Sequence, residues 1–211
     1  MSRQARDRLV ESAARLFRRQ GYAATGVKQL LEDSGTVTGS LYHHFPGGKE
    51  QIAVAVVERA GQEVGAALKA LLDRSDGVHT ALDRWIKWLI RTLEDSDGLD
   101  GCPIAPLALE APKASGPLRR AAAAQFTAWA TTLSTALRDE GHPADDADRL
   151  GLVLLSAIEG ALLLSRTSGD PSALHAVRVT ITALLTGHTD RPAAATAESP
   201  PCAPTRGGAR G

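Results

Sequence analysis

The chain has 211 residues, 43% of them hydrophobic, which is enough for a sizeable core built as one domain or as a small one joined to a larger one. Its formal net charge is zero, which excludes a uniformly basic nucleic-acid coat, although a sum hides distribution. Cys102 and Cys202 lie a hundred residues apart and indicate neither a disulfide framework nor a metal spacing, so a reducing cytoplasm fits best.

The periodicity is helical almost throughout, and the elements follow in order. Leu9, Ala13, Leu16 and Phe17 share one stripe, predicting an amphipathic helix over 3–20 that Gly21 ends. Its scattered charges exclude a secretory signal. A shorter helix over 27–34 buries Val27, Leu30 and Leu31 and stops at Gly35. Thr36 is then expected as the N-cap of a third helix, beginning at Val37 and Thr38, burying Leu41 and Phe45, and broken by Pro46-Gly47-Gly48. One long helix from Lys49 to about Arg74 bridges to a second region. There, a helix over 78–95 carries Leu82, Trp85, Ile86, Leu89 and Leu93, and "CPIAPLALEAP" supplies a short one between Pro103 and Pro112. Helices over 117–140, 145–167 and 171–186 follow. The run "LGLVLLSAIEGALLL" is shorter than the ~20 residues a bilayer span needs and carries Glu159, so it reads as a buried helix. From His188 the composition turns to Pro, Ala and Gly, and a disordered tail over 188–211 is expected.

Charge is uneven along this layout. Residues 1–60 hold nine Lys/Arg against six Asp/Glu, and the basic excess coincides with "GTVTGSLYHHFPGGKE", residues 35–50. A phosphate loop is excluded there, because His43 and Glu50 stand where Gly and Ser or Thr are required. A metal site from His43 and His44 is disfavoured, since adjacent helical residues diverge and no ligand stands at i+3 or i+4. What fits is a helix-turn-helix turning at Gly35, with Thr38, Ser40, Tyr42, His43 and His44 left to face outward or sideways toward phosphates and bases.

The stretch "RLVESAARLFRRQGYAATGVKQLLEDSGTVTGSLYHHFPGGKEQIA" resembles the DNA-binding head of TetR-family transcriptional repressors, with Gly-Tyr after the first helix and Gly-Ser-Leu-Tyr-x-His-Phe in the third. "FPGGKE" and "GCPIAPLALEA" further resemble the LmrA/YxaF-like branch, known for repressors released by flavonoids or drugs. The resemblance implies an all-α fold, with a DNA-binding domain over 1–48 and a helical ligand-binding and dimerisation domain over 49–187. It implies DNA contacts from Lys28, Thr36, Thr38, Gly39, Ser40, Tyr42, His43 and Lys49, the last gripping a phosphate. Gly26 and Thr38 depart from the family pattern, where a capping Ser or Thr and a basic residue are common, so binding is expected to lean on Arg3, Arg6 and Lys28.

Residues 75–187 carry all three tryptophans. An apolar effector pocket is expected from Trp85, Trp88, Leu89, Cys102, Ile104, Leu107, Phe126, Trp129, Leu133 and Glu159. Cys102, His142, Ser156 and Glu159 offer no recognisable nucleophile–base pairing, so no enzyme, cofactor or metal is expected. The last two helices are apolar around more than one face, which predicts a C2 homodimer through Gly151, Leu154, Ile158, Gly160, Ala161, Val177, Ile181 and Leu184. Two readings remain: a cytoplasmic repressor on double-stranded operator DNA released by a small, largely apolar effector of aromatic or multidrug-like kind, or a helix-turn-helix regulator controlled by a protein partner or by none.

Overall fold

The computed structural model describes residues 3–96, 98, 100–110 and 116–187; the side chain of Arg3 and the tail expectation over 188–211 fall outside it. The described residues are helical, with no strand: α1 (Arg3–Gln20), α2 (Val27–Ser34), α3 (Thr38–His44), α4 (Gly48–Asp73), α5 (Val78–Asp95), α6 (Ala105–Glu110), α7 (Gly116–Asp139), α8 (Ala144–Ser168) and α9 (Ser172–Thr186).

The stripe of α1 is buried as its spacing requires. Leu9, Ala13 and Phe17 pack with Tyr22, Leu30, Leu41, Phe45 and Ile52 into a core shared by α1 to α4. At about 1.5–3 kcal/mol for each large side chain removed from water, these contacts hold α2 and α3, two helices too short to persist alone. Between α2 and α3, Gly35 adopts φ 58°, a left-handed conformation that costs glycine little, and the N–H of Thr36 closes the turn on the Leu31 carbonyl at 3.1 Å. Thr36 therefore belongs to the end of α2, and its hydroxyl lies 2.7 Å from Ser34 Oγ. The N-cap of α3 is Val37, without a side-chain cap, which corrects the expectation for Thr36.

Helix α4 runs from this head into the bundle and lies along α7. Gly61 lets them approach, since a Cβ there would stand 2.3 Å from Gln125, and Trp129 Nε1 donates to the Gly61 carbonyl at 2.8 Å. Along α7 lies α8, which is long and apolar enough to cross a membrane by length and composition, yet packs on α7 and α9. Gly151 faces α7 closely, because a Cβ would meet Ser134 Oγ at 2.3 Å and the Ala130 carbonyl at 2.8 Å. Leu154, Ile158 and Ala161 on α8, and Ile181 on α9, are buried within the chain. The expectation that these five residues face a second subunit is thereby corrected, because their neighbours are the chain's own helices. The opposite face carries Leu152, Val153, Leu163 and Leu164 of α8 and Val179 of α9, all more than half exposed, with Gly160 and Leu184 beside them. Val177 is half-buried.

Asp83 ties α5 to α9, accepting from Arg178 Nη1 at 2.8 Å while Lys87 Nζ stands 2.7 Å away. The hydrogen bond from Lys87 and that from Arg178 hold its carboxyl below the ordinary range against the opposing effect of burial. A carboxyl lowered on folding stabilises the fold above its unfolded pKa, and that contribution disappears as pH falls through its folded value. Asp83→Asn should therefore lower the melting temperature at pH 7 and narrow the gap to the parent below about pH 4, the ordinary carboxylate range. Parallel melting curves at every pH would remove Asp83 from the acid transition.

Candidate functional site

Two surfaces combine the residue types singled out from the sequence. The first is the outer side of α2 and α3. Leu41 is fully buried and anchors α3, leaving Val37, Thr38, Gly39, Tyr42 and His43 exposed and Ser40 and His44 half-buried. A Cβ at Gly39 would meet nothing within 4 Å, so the backbone of this turn lies open. The ring of Tyr42 approaches Gly48, while His43 and His44 meet edge to face at 5.0 Å. Lys28 projects from α2 with its ammonium 3.8 Å from Glu32, an exposed pairing easily exchanged for another anion. Arg6 sets its guanidinium 5.5 Å from the Phe45 ring centre. Sequence reading missed Val37, which is 70% exposed and stands directly before Thr38. An exposed β-branched residue at the head of such a helix has the shape and polarity to meet a thymine methyl.

Lys49 is placed differently from the phosphate-gripping role that the resemblance implied. Its ammonium donates to the carbonyls of Tyr22 at 3.0 Å and Thr25 at 2.9 Å and sits 4.3 Å from the Tyr22 ring centre. Burial lowers its pKa, and Glu110 acts in the opposite sense. Lys49 thus fastens the start of α4 to the α1–α2 turn. The same turn is held from its other side by Glu110, the last residue of α6, whose Oε2 accepts the N–H of Tyr22 at 2.6 Å and of Ala23 at 3.2 Å. Gly21 makes room for it, with φ 85° and space for no Cβ, since one would lie 2.7 Å from that oxygen. Nothing in the sequence marked Glu110, 88 residues from Tyr22.

The second surface is a cavity of about 310 Å³ inside the bundle. Trp85, Trp88, Leu89, Cys102, Trp129, Leu133 and Glu159 line it, as expected from the sequence, joined by Ile158 and by Arg18 and Asp100. Ile104 is fully buried in the core and Leu107 lines a cleft beside α1, so these two expectations are corrected. Phe126 belongs to an adjoining groove of about 650 Å³ that shares Cys102 and Glu159 with the cavity. The groove opens toward Leu152, Gly160 and Leu163 on the exposed face of α8. Within the cavity Cys102 donates its S–H to Glu159. Burial, reinforced by the Glu159 charge, pushes the thiol up to about 12, and burial also raises the Glu159 carboxyl. A thiol so held contributes almost no thiolate at neutral pH and is a poor nucleophile. The polypeptide from Cys102 to Glu110 thus borders the cavity at one end and holds the α1–α2 turn at the other.

Residues 9–56 match the family described as bacterial regulatory proteins, tetR family, and residues 79–180 match the C-terminal domain of LmrA/YxaF-like transcriptional regulators. The chain is 34% identical to the HTH-type transcriptional regulator YxaF of Bacillus subtilis over 169 residues, covering 80% of this chain and 88% of that protein. It is likewise 34% identical to the regulator LmrA of the same organism over 173 residues, covering 80% and 90%. Among solved structures, the regulatory protein TetR from Rhodobacter sphaeroides superposes with a TM-score of 0.73 at 21% identity, covering 84% of this chain and 97% of that one. These relatives are transcriptional regulators and not enzymes. The exposed helix-turn-helix surface and the matches on both sides of α4 lead to one conclusion: the chain belongs to the TetR family of helix-turn-helix transcriptional regulators, with a C-terminal domain of the LmrA/YxaF-like kind.

Proposed function

We propose that the protein is a cytoplasmic, dimeric repressor that binds an inverted-repeat operator through residues 1–48 and is released when a small, largely apolar effector occupies the bundle formed by residues 49–187. The observation that carries this reading is the run from Cys102 to Glu110, which borders the cavity and bonds to the helix-turn-helix. That continuity favours an effector in the cavity over control by a protein partner. On DNA, α3 enters the major groove. Thr38, Gly39 and Ser40, with Val37, lie nearest the bases; Thr36, Tyr42, His43 and Lys28 approach phosphates. Lys49 supports the interface by fixing the α1–α2 turn.

Titrations against duplexes selected from random sequence test the assignment. Lys28→Ala should weaken selected and unrelated duplexes alike and lower the salt slope by about one unit, as loss of one phosphate contact does. Thr38 and Val37 substitutions should instead change the preferred base at fixed half-site positions. A half-site indifferent to both would displace α3 from the groove.

A further inference from the structure

The cavity is walled largely by aromatic and aliphatic side chains, yet two carboxyl groups line it, those of Asp100 and Glu159. Glu159 projects from α8 toward Cys102, and the Cys102 S–H donates to it. Among the described residues, no lysine, arginine or histidine forms an ion pair with Glu159. Arg18, which also lines the cavity, lies 3.5 Å from Asp100 and is paired there. Arg166, two turns further along α8, lines the adjoining groove with both its stem and its guanidinium against Gly101, and forms no ion pair with Glu159. Helix α5 contributes Trp85, Trp88, Leu89 and the Thr92 hydroxyl to the cavity, and α7 contributes Trp129 and Leu133, so neither brings a charge.

The charge balance of the cavity is therefore one-sided. The indole N–H of Trp129 is committed to the Gly61 carbonyl and the Cys102 thiol to Glu159, so neither donor is free for a ligand. Beside the Thr92 hydroxyl, the indole N–H groups of Trp85 and Trp88 and the Arg18–Asp100 pair, the lining holds one carboxyl without a counter-ion, that of Glu159, next to the π-surfaces of indole rings. A buried carboxylate lacking a positive partner is costly and reverts to its neutral form. Tryptophan is the best of the side chains at attracting a cation to its face.

Resting on the reading of this cavity as the effector site, we propose that its ligand is a planar aromatic cation whose charge supplies the counter-ion Glu159 lacks. The volume of about 310 Å³ lies at the lower end of the ~300–1,000 Å³ usual for ligand sites, which suits a compact fused-ring molecule. Trp85 and Trp88, 5.4 Å apart and tilted by 47°, and Trp129 supply aromatic wall for it. Trp88 is 48% exposed, which places aromatic surface where the cavity meets solvent. Cation binding favours the ionised form of Glu159. Because burial raises that carboxyl, binding releases a proton, and affinity for the cation rises with pH until Glu159 is fully ionised in the free protein.

The test titrates the full chain, without DNA, with N-methylacridinium and with its uncharged isostere 9-methylanthracene, following tryptophan fluorescence from pH 8 downward as far as the chain stays folded. The protein should bind the cation at least tenfold more tightly than the isostere at pH 8, with a preference that shrinks as Glu159 becomes protonated. Glu159→Gln should abolish both the preference and its pH dependence. Glu159→Asp, which keeps the charge on a shorter stem, should retain part of each, and melting curves would establish that both variants fold. Equal affinity for the two probes, binding of neither, or a preference that survives in Glu159→Gln would overturn the proposal. Since no DNA is present, the outcome is independent of whether occupancy releases an operator, and the two readings fail separately.

Discussion

Leu164→Arg should convert the proposed dimer into a folded monomer. Leu164 is 62% exposed in the single chain and lies with Leu152, Val153, Leu163 and Val179 on the side of α8 and α9 that faces away from the core. A patch of this kind on a soluble protein marks an interaction surface, and two apolar helix faces meeting their own copies give a four-helix contact with C2 symmetry. Arginine at this position leaves the monomer's core untouched. In the dimer it buries an unpaired charge twice, once from each subunit, at a cost of several kcal/mol per ion. An expected rise of at least about a thousandfold in the dimer dissociation constant corresponds to roughly 4 kcal/mol. Gly160→Leu should act in the same direction by bulk, because a Cβ there meets nothing within the chain. Sedimentation would show the monomer, and a cooperative melting transition that no longer depends on protein concentration would show that it is folded. Leu154→Arg is the contrasting case. Leu154 is 1% exposed, so that variant should unfold the chain itself. A Leu164→Arg protein that still sediments as a dimer would move the interface elsewhere.

The comparison of α8 with α1 shows where the sequence was sufficient and where it was not. In α1 the apolar residues occupy one stripe, so periodicity alone identifies the buried face, and Leu9, Ala13 and Phe17 are where it predicts. Helix α8 is apolar on both sides, and then periodicity establishes that two neighbours exist without saying which side meets which. Gly151 and Gly160 look alike in sequence, yet one lies against the Ala130 carbonyl and the other faces open space. Most of the cavity lining was legible because three tryptophans are a strong local signal. Ile104 was not, since nothing in a short Pro-bracketed helix distinguishes core from wall. The role of Glu110 was illegible for a further reason. Its partners are backbone N–H groups far away in sequence, and backbone groups carry no residue signature.

Glu110→Ala should uncouple effector from DNA while leaving each affinity nearly intact. For an effector that weakens operator binding a hundredfold, the coupling free energy is about 2.7 kcal/mol, and linkage requires operator to weaken effector binding by the same factor. A hydrogen bond to a charged group contributes about 1.5–3 kcal/mol, so the two that Glu110 accepts from Tyr22 and Ala23 are of the size needed to carry that coupling. Displacement of the Cys102–Glu110 run by an occupied cavity would pull this carboxylate from the turn and shift the head, altering the roughly 34–36 Å spacing that two recognition helices need. Without the carboxylate the turn is still fastened to α4 by Lys49, so DNA binding persists but is indifferent to the cavity. The coupling factor should fall from a hundredfold to within a few-fold. Lys49→Ala should do the reverse, lowering the melting temperature and operator affinity while leaving the salt slope unchanged, because its ammonium is engaged by the Tyr22 and Thr25 carbonyls. Effector titrations with and without operator would read the first result, and operator titrations across salt concentration the second. Full coupling in Glu110→Ala would exclude the α1–α2 turn as the route between cavity and DNA, and a salt slope reduced by one unit in Lys49→Ala would return that lysine to the phosphate backbone.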